Sequence, residues 1–199
     1  MLHDPDTSSL PTAELNLVYP LGCDSAWLWP SILKAELSEN LYDWLTNTGS
    51  LTARLKQHCE TFDVQVLIEG NYPLSTDEQA QLNLSESQGF VREVLLKLDG
   101  VPWVFARSVM PLSTVCGEDN ALANLGDKPL GAVLFSQPDM QRSSIEVAKF
   151  EQNSPLQHVM RRFNTGTAMT LFGRRSCFLL SEKSLLVSEV FLPAAIAYQ

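Results

Sequence analysis

The sequence contains few of the residues that bind metals and cofactors. Its 199 residues include four cysteines and three histidines, which are scattered, with no Cys-x-x-Cys pair and no histidine at ligand spacing. The sequence also lacks a glycine-rich phosphate loop and a Gly-x-Ser-x-Gly nucleophile elbow. We therefore expect a protein with no metal and no cofactor, whose cysteines stay reduced.

Positive charge and long apolar runs are also scarce. The 14 Lys and Arg residues are outnumbered by 23 Asp and Glu residues, giving a net charge of -9. Such a balance disfavours binding to nucleic acid or to an anionic membrane surface. No Lys or Arg precedes Lys34, and no apolar stretch reaches the length of a membrane span. We expect a cytoplasmic protein with no signal peptide, no nucleic-acid partner and no stable membrane insertion.

Length and patterning predict one α+β domain. A chain of this length with 45% hydrophobic residues suits a single core, so we expect a loose leader over residues 1–26 and one domain over 27–199. Helical spacing and capping signals predict helices over 27–45, 50–58, 75–80, 117–125 and 129–135. Strands are predicted over 64–68, 91–98, 101–110, 143–148, 169–180 and 185–192. Because hairpins dominate, we expect a single, mainly antiparallel β-sheet with helices clustered on one face.

A hairpin is predicted around Asp99-Gly100, a pair that favours a type I′ turn. In an uninterrupted register Arg92 on the first strand faces Arg107 on the second. Like charges directly opposite each other are unfavourable, so something anionic is expected near them. Arg92 then either grips a ligand carboxylate or forms a structural ion pair with Glu189, and the residues alone favour neither alternative.

A second hairpin is predicted at the C-terminal end, with the turn over 181–184. Because side chains alternate along a strand, Glu189 shares one face with three apolar side chains, those of Leu185, Val187 and Phe191. In this register Ser176 lies opposite Glu189, and Arg174 is a diagonal neighbour. A carboxylate in apolar company needs a partner, a proton or a role in binding. Pairing with Ser176 or Arg174 would satisfy it without any function.

Several short motifs occur in a fixed order between about residue 40 and residue 198. They include Val91-Arg92-Glu93-Val94-Leu95-Leu96, Asp99-Gly100-Val101-Pro102-Trp103, Ala106-Arg107-Ser108-Val109-Met110-Pro111, Leu125-Gly126-Asp127-Lys128-Pro129-Leu130-Gly131, Gly173-Arg174-Arg175-Ser176 and Ser188-Glu189-Val190-Phe191-Leu192-Pro193. Together these motifs resemble the bacterial chorismate lyase family. A weaker likeness continues upstream through Trp44-Leu45 and Ser50-Leu51-Thr52-Ala53-Arg54-Leu55.

The resemblance implies a cofactor-independent enzyme that converts chorismate to 4-hydroxybenzoate and pyruvate, the first step of ubiquinone biosynthesis. It implies a monomer whose partners are this small-molecule substrate and its aromatic product, with a ligand pocket between the sheet and helical flaps. The family's substrate-binding Arg falls on Arg92 and its ligand-contacting Glu on Glu189, so both are expected to bind substrate and to be catalytic. Leu51 and Leu130 match ligand-contacting positions, through backbone N–H groups near helix starts. Arg107 joins the expected substrate-binding residues through the hairpin register.

Two alternatives stay open at this point. Effector-binding domains of some bacterial transcription regulators resemble the same fold, so a non-catalytic domain that binds a small carboxylate is the other interpretation. Such domains usually follow a winged helix-turn-helix, for which residues 1–26 are too few and too acidic. Within the lyase interpretation, Glu189 either serves as acid or base or merely orients the substrate hydroxyl. The 149–172 segment is longer than in compact family members, which leaves its role open.

Overall fold

One seven-stranded sheet organises the molecule. The computed structural model describes residues 19–115, 122, 124–156, 169–180 and 183–199. The strands are β1 (Phe62–Pro73), β2 (Gln88–Leu98), β3 (Val101–Met110), β4 (Gln141–Arg142), β5 (Glu146–Phe150), β6 (Leu171–Leu180) and β7 (Lys183–Phe191). Their order is β1-β2-β3-β7-β6-β4, β5 also pairs with β6, and each of these pairings is antiparallel. The predicted antiparallel sheet and the α+β class are confirmed.

The helices are short. They are α1 (Pro30–Leu33), α2 (Glu39–Thr46), α3 (Leu51–Leu55), α4 (Thr76–Gln81), α5 (Leu112–Val115) and α6 (Leu130–Phe135), with 3₁₀ turns at Lys34–Glu36, Lys56–His58 and Ile196–Tyr198. The prediction of one continuous helix over 27–45 is wrong, because this segment forms α1, a 3₁₀ turn and α2. The Ser38 side chain accepts a hydrogen bond from the Leu41 N–H and so starts α2 as a new helix. Most of the helix predicted over 117–125 lies outside the described residues. Within the described ranges, no helix is long and apolar enough to cross a membrane.

Helices cover both faces of the sheet. The face covered by α2, α3 and α6, called here the helical face, carries alternate residues of the central strands, including Val94, Leu96, Val104, Ala106 and Phe191. The opposite face carries the residues between them, including Leu95, Phe105 and Val190. There α4 and residues 19–27 form the cover. The prediction that helices cluster on one face therefore holds for α2, α3 and α6. It does not hold for α4, which packs on the opposite face.

A β-bulge changes the register of the central hairpin. Asp99 and Gly100 both have positive φ, as a type I′ turn requires, and Leu98 pairs with Val101 as predicted. Lys97 then pairs with Pro102 but Leu96 pairs with Val104, so Trp103 is an extra residue. A slip of one residue moves every later side chain of β3 to the other face.

The C-terminal hairpin differs from its predicted register by two residues. Leu180 pairs with Lys183, and residues 181–182 of the connection lie outside the described residues. Arg174 therefore pairs directly with Glu189, rather than lying diagonal to it. Because two is the period of a strand, the shift leaves each side chain on its predicted face.

Two boundary predictions need correction. β1 is longer than the strand predicted over 64–68, because it runs from Phe62 to Pro73, where it pairs with Gln88 of β2. Residues 19–26 are not a loose leader, since Leu21 and Cys23 are buried against the opposite face. The remainder of the predicted leader, residues 1–18, lies outside the described residues.

Candidate active site

Arg92 is a buried arginine on the helical face of β2, with only 2% of its surface exposed. Its Nη1 group pairs with the carboxylate of Glu69, which lies directly opposite on β1. Its Nη2 group donates to the carbonyl oxygens of Gly126 at 2.7 Å and Lys128 at 3.3 Å. A guanidinium has five N–H donors, and the contacts with described residues use three of them. Two donors, one on Nε and one on Nη1, therefore have no acceptor among the described residues.

Two adjoining cavities lie between the helical face and helices α3 and α6. The first, called the Arg92 cavity, is lined by residues that include Thr52, Arg92, Ala106, Ser108 and Leu130. The second, called the Arg142 cavity, is lined by residues that include Leu51, Leu134, Arg142, Arg174 and Phe178. Both cavities are lined by Gly131, Val187 and Glu189. The fold thus brings together four of the five predicted site residues, from four separate parts of the chain.

Leu51 and Leu130 occupy equivalent places, because each is the first residue of its helix. N–H groups in the first turn have no acceptor within their own helix, so they are available as donors near a cavity. Ser50 fixes the start of α3 by accepting from the Ala53 N–H. The helices approach closely, since a Cβ on Gly131 would lie 3.1 Å from Thr52 Oγ1. Glycine at this position allows α6 to pack onto α3 over the cavities.

Glu189 has the partner that a carboxylate in apolar company requires. Arg174, 1% exposed, donates from Nε to Glu189 Oε2 at 2.7 Å. Arg174 Nη1 donates to the carbonyl oxygens of Trp44 at 3.1 Å and Asn47 at 2.7 Å, which anchors it under α2. One oxygen of Glu189, Oε2, is therefore already engaged by Arg174. The Glu189 side chain lines both cavities, so its second oxygen is the one available to a bound molecule.

Arg142 was not among the predicted site residues. It lies on β4, donates from Nε to Ser176 Oγ at 3.0 Å and from Nη1 to the Thr48 carbonyl at 3.0 Å. Its guanidinium also lies 5.1 Å from the centre of the Phe178 ring. Burial, followed by the neighbouring charge of Arg174, lowers the pKa of Arg142 to about 10. Arg142 therefore adds positive charge to the end of the site farthest from Arg92.

Arg107 lies on the opposite face, contrary to the prediction. The bulge at Trp103 pairs it with Glu93 instead of Arg92. Arg107 donates to Glu78 at 2.7 and 3.0 Å and to Glu93 at 2.9 Å. Burial acts to lower its pKa, but the hydrogen bonds and negative charge of these carboxylates outweigh it and raise the pKa of Arg107. Arg107 stabilises the packing of α4 on the sheet and lines neither cavity.

A larger cavity, of about 210 Å³, lies away from the predicted residues and is lined by Trp29, Arg175 and Cys177 among others. Its arginine is already neutralised, because Arg175 pairs with Asp77 and with Glu146. Burial raises the pKa of the Cys177 thiol, which disfavours a reactive thiolate. Size alone therefore does not make this cavity the better anion site. Among the described residues, no cluster of His, Cys, Asp or Glu is arranged to hold a metal.

The Arg92 and Arg142 cavities have volumes of about 30 and 20 Å³ in this structure. A single water molecule needs about 10–15 Å³ measured in the same way. A benzoate-sized ligand is therefore larger than either cavity, and the residues that line them must shift for it to bind.

The fold is an α+β fold that is shared with domains of known structure. The effector domain of PhnF from Mycobacterium smegmatis superposes with a TM-score of 0.53 at 11% identity, over 74% of this chain and 90% of that one. The PhnF C-terminal domain gives a TM-score of 0.52 at 14% identity, over 66% of this chain and 83% of that one. At these identities the similarity describes the fold alone.

Sequence comparison identifies the family. The family model described as chorismate lyase matches residues 23–199. A probable chorismate pyruvate-lyase of Shewanella frigidimarina is 40% identical over 92% of this chain and 96% of that protein. Proteins of the same description from Shewanella amazonensis and Pseudoalteromonas translucida are 42% and 37% identical, each over 92% of this chain and over 95% and 99% of their own lengths. The chain belongs to the chorismate lyase family, and it is an enzyme of the lyase class.

Proposed function

We propose that this protein eliminates pyruvate from chorismate to give 4-hydroxybenzoate, and that it does so at the Arg92 and Arg142 cavities. The observation that carries the proposal is the convergence of Leu51, Arg92, Leu130 and Glu189 around these adjoining cavities in a member of the chorismate lyase family. The product is the aromatic precursor with which ubiquinone biosynthesis begins in the resembled family.

The reaction makes modest demands on the protein. The ring carbon that bears the hydroxyl loses its hydrogen, and the neighbouring carbon–oxygen bond to the enolpyruvyl group breaks, which leaves an aromatic ring. The electrons of the broken bond stay on the enolpyruvyl oxygen, and a proton added to the methylene carbon gives pyruvate. Because aromatisation drives the reaction, the protein has to bind a dianion, fix its conformation and manage one proton. Positioning and preorganised charge supply these functions.

Arg92 binds the ring carboxylate in this proposal. Its planar guanidinium forms paired hydrogen bonds with a carboxylate, and its contacts with Gly126 and Lys128 fix its orientation before the ligand arrives. Glu69 balances the charge of Arg92 in the free protein and is 27% exposed, so it can turn toward solvent when a substrate carboxylate takes its place. The N–H groups of Leu51 and Leu130 donate to the same carboxylate.

Glu189 acts at the hydroxyl end of the ring. Arg174 fixes its position through Oε2, so the other oxygen is presented to the ligand. There it either accepts the ring proton directly, or holds the hydroxyl while the hydrogen passes within the substrate to the enolpyruvyl group. Both pathways need the carboxylate at this position, and only the first needs it to exchange a proton.

Turnover is the test of this function. Purified protein is incubated with chorismate, and 4-hydroxybenzoate and pyruvate are quantified separately. Equal amounts of both products, formed in proportion to protein concentration, are the expected result. Depletion of chorismate without 4-hydroxybenzoate, or binding without conversion, would instead support the effector-binding interpretation.

We also propose that the protein works as a monomer in the cytoplasm, in line with the family resemblance. Light scattering during size-exclusion chromatography checks the first point, with a mass near the 22.1 kDa of one chain expected.

A further inference from the structure

Arg142 differs from the other arginines in its electrostatic partners. Five of the six arginines among the described residues form an ion pair with a carboxylate, namely Arg54, Arg92, Arg107, Arg174 and Arg175. Arg142 has only a hydroxyl and a carbonyl as acceptors, on Ser176 and Thr48. No carboxylate of the described residues lies within ion-pair distance of it. A half-buried guanidinium in this situation is poised to accept an anion.

The position of Arg142 indicates where such an anion would bind. Arg142 lines the cavity that adjoins the Arg92 cavity, and Glu189 and Val187 line both. Ser176, which orients Arg142, pairs with Val187, and Val187 pairs with Ser108, which pairs with Arg92. This row crosses three strand spacings, or about 14 Å between the outer backbones. Arg92 and Arg142 lie at the two ends of this row, so a small dicarboxylate placed between them would reach both arginines once the cavities widen.

Arg174 lines the same cavity but, unlike Arg142, it already has a carboxylate partner. Its guanidinium is engaged by Glu189 and by the carbonyls of Trp44 and Asn47. Burial and the charge of Arg174 lower the pKa of Arg142 to about 10, and the negative charge of Glu189 opposes this shift only in part. Arg142 nevertheless remains protonated at neutral pH.

We infer that Arg142 binds the second carboxylate of the substrate, the one on the enolpyruvyl group, while Arg92 binds the ring carboxylate. This inference rests on the proposed function. It places the breaking carbon–oxygen bond between the two arginines, beside Glu189. Arg142 then distinguishes the dianionic substrate from the monoanionic aromatic product, which has no second carboxylate. The pyruvate half keeps this contact until it leaves.

The inference is tested by comparing a dicarboxylate with a monocarboxylate. The stable aromatic ether 3-(1-carboxyethoxy)-4-hydroxybenzoate keeps both carboxylates of the substrate and cannot eliminate pyruvate in the same way. Its Kd and that of 4-hydroxybenzoate are measured by calorimetry for the unmodified protein, Arg142→Gln and Arg142→Lys. Arg142→Gln is expected to weaken dicarboxylate binding about 10- to 100-fold, the range for loss of one charged hydrogen-bonded contact. Its Kd for 4-hydroxybenzoate should change less than about threefold.

Arg142→Lys keeps the charge without the planar fork, so its loss of dicarboxylate affinity should be smaller. It also provides a folded variant if Arg142→Gln unfolds, which thermal unfolding will show. Arg54→Gln is the matched control, because Arg54 pairs with the exposed Asp43 and lines neither cavity. It should bind both ligands normally.

An equal loss for both ligands, or an unchanged dicarboxylate Kd in the folded Arg142 variants, would overturn the assignment. So would failure of the unmodified protein to bind the dicarboxylate. If it binds the dicarboxylate through Arg142 but makes no 4-hydroxybenzoate from chorismate, the proposed function fails and the second carboxylate site stands.

Discussion

Burial alone does not separate binding arginines from structural ones in this molecule. Arg92, Arg107, Arg174 and Arg175 are each at most 3% exposed, and each has a carboxylate partner. Arg92 lines a cavity and retains two donors beyond its contacts with the described residues, and its carboxylate partner Glu69 is 27% exposed. Arg107 has no such access, because Glu78 and Glu93 enclose it on the opposite face.

Replacing Arg92 should chiefly weaken ligand binding. Arg92→Ala is expected to lose several kcal/mol of binding free energy for both chorismate and 4-hydroxybenzoate, about 10²-fold or more in Kd, because both carry the ring carboxylate. Arg92→Lys should recover little, since one ammonium cannot reproduce the fork of two parallel hydrogen bonds. Calorimetry with 4-hydroxybenzoate and the KM for chorismate measure this effect. A lysine variant with near-native binding would show that Arg92 acts only as a point charge.

Arg107→Ala is the control for Arg92→Ala. It leaves two buried carboxylates without their cation, so it should reduce the free energy of unfolding by about 3–5 kcal/mol. At a temperature where the variant is still folded, its Kd for 4-hydroxybenzoate should be unchanged. If the folded Arg107 variant loses ligand affinity, Arg107 is a binding residue after all.

Replacing Glu189 separates its role in chemistry from its pairing with Arg174. Glu189→Gln should lower turnover by about 10²–10⁴, the range for a positioned acid or base. It should also lower stability by about 1–3 kcal/mol, because Arg174 loses a charged hydrogen bond. The double variant Arg174→Gln, Glu189→Gln removes the uncompensated charge and should recover part of the stability while turnover stays low. Recovery of turnover together with stability would mean that Glu189 only supports Arg174.

At the scale of elements, the two hairpins show what sequence patterning determines and where it fails. The turn, both strands and the apolar faces of the central hairpin follow from Asp99-Gly100 and from alternation. The bulge at Trp103 does not follow from alternation, although the neighbouring Pro102 is a residue that internal strands accept mainly at bulges. Its one-residue slip moved Arg107 to the opposite face. The C-terminal hairpin slipped by two residues, and its Glu189 and Arg174 stayed on the predicted face.

Glu69 and Arg142 could not be predicted as site residues from the sequence, and the physical reason is the same for both. Glu69 lies after a second bulge, between Val66 and Ile68, and just past the end of the strand predicted over 64–68. Arg142 lies on a two-residue strand, too short for any periodicity to predict. Arg92 and Glu189 were identified because family motifs and alternation agreed, whereas a contact set by bulges or by short edge strands depends on tertiary packing.

The contact between α3 and α6 should depend on a single pair of residues. Gly131→Ala brings a Cβ to 3.1 Å from Thr52 Oγ1, so α6 must move by a few tenths of an ångström and the substitution should be destabilising. In a Thr52→Ala background the nearest remaining atom, Thr52 Cβ, is at 3.9 Å. There Gly131→Ala should be neutral or stabilising, because alanine favours a helix over glycine by up to about 1 kcal/mol. Chemical denaturation of the four variants measures the coupling, and additive effects would exclude this contact.

At the scale of the whole molecule, the sheet separates two kinds of charged cluster. The helical face holds the proposed ligand site, and the opposite face holds buried charged contacts that attach α4 and residues 19–26. Glu93, fully buried, accepts from the N–H groups of Leu21 and Gly22, each at 2.8 Å, and from Arg107. Residues 19–26 are therefore part of the packed domain.

Truncation tests this division of the chain. Removing residues 1–26 should lower the unfolding midpoint by several degrees, since it uncovers apolar surface and takes two donors from Glu93. Removing only residues 1–18 should leave the midpoint unchanged if these residues are the loose leader that the sequence predicts. Differential scanning calorimetry on both variants provides the comparison. Equal midpoints for the two truncations would show that residues 19–26 contribute nothing.

The location of the site is tested most directly by a crystal structure with 4-hydroxybenzoate bound. The ligand carboxylate should lie about 2.7–3.1 Å from the Arg92 guanidinium, with the ring between the helical face and α6 and the hydroxyl toward Glu189. A ligand in the Trp29-lined cavity on the other side, or one that contacts neither Arg92 nor Glu189, would contradict the proposed site.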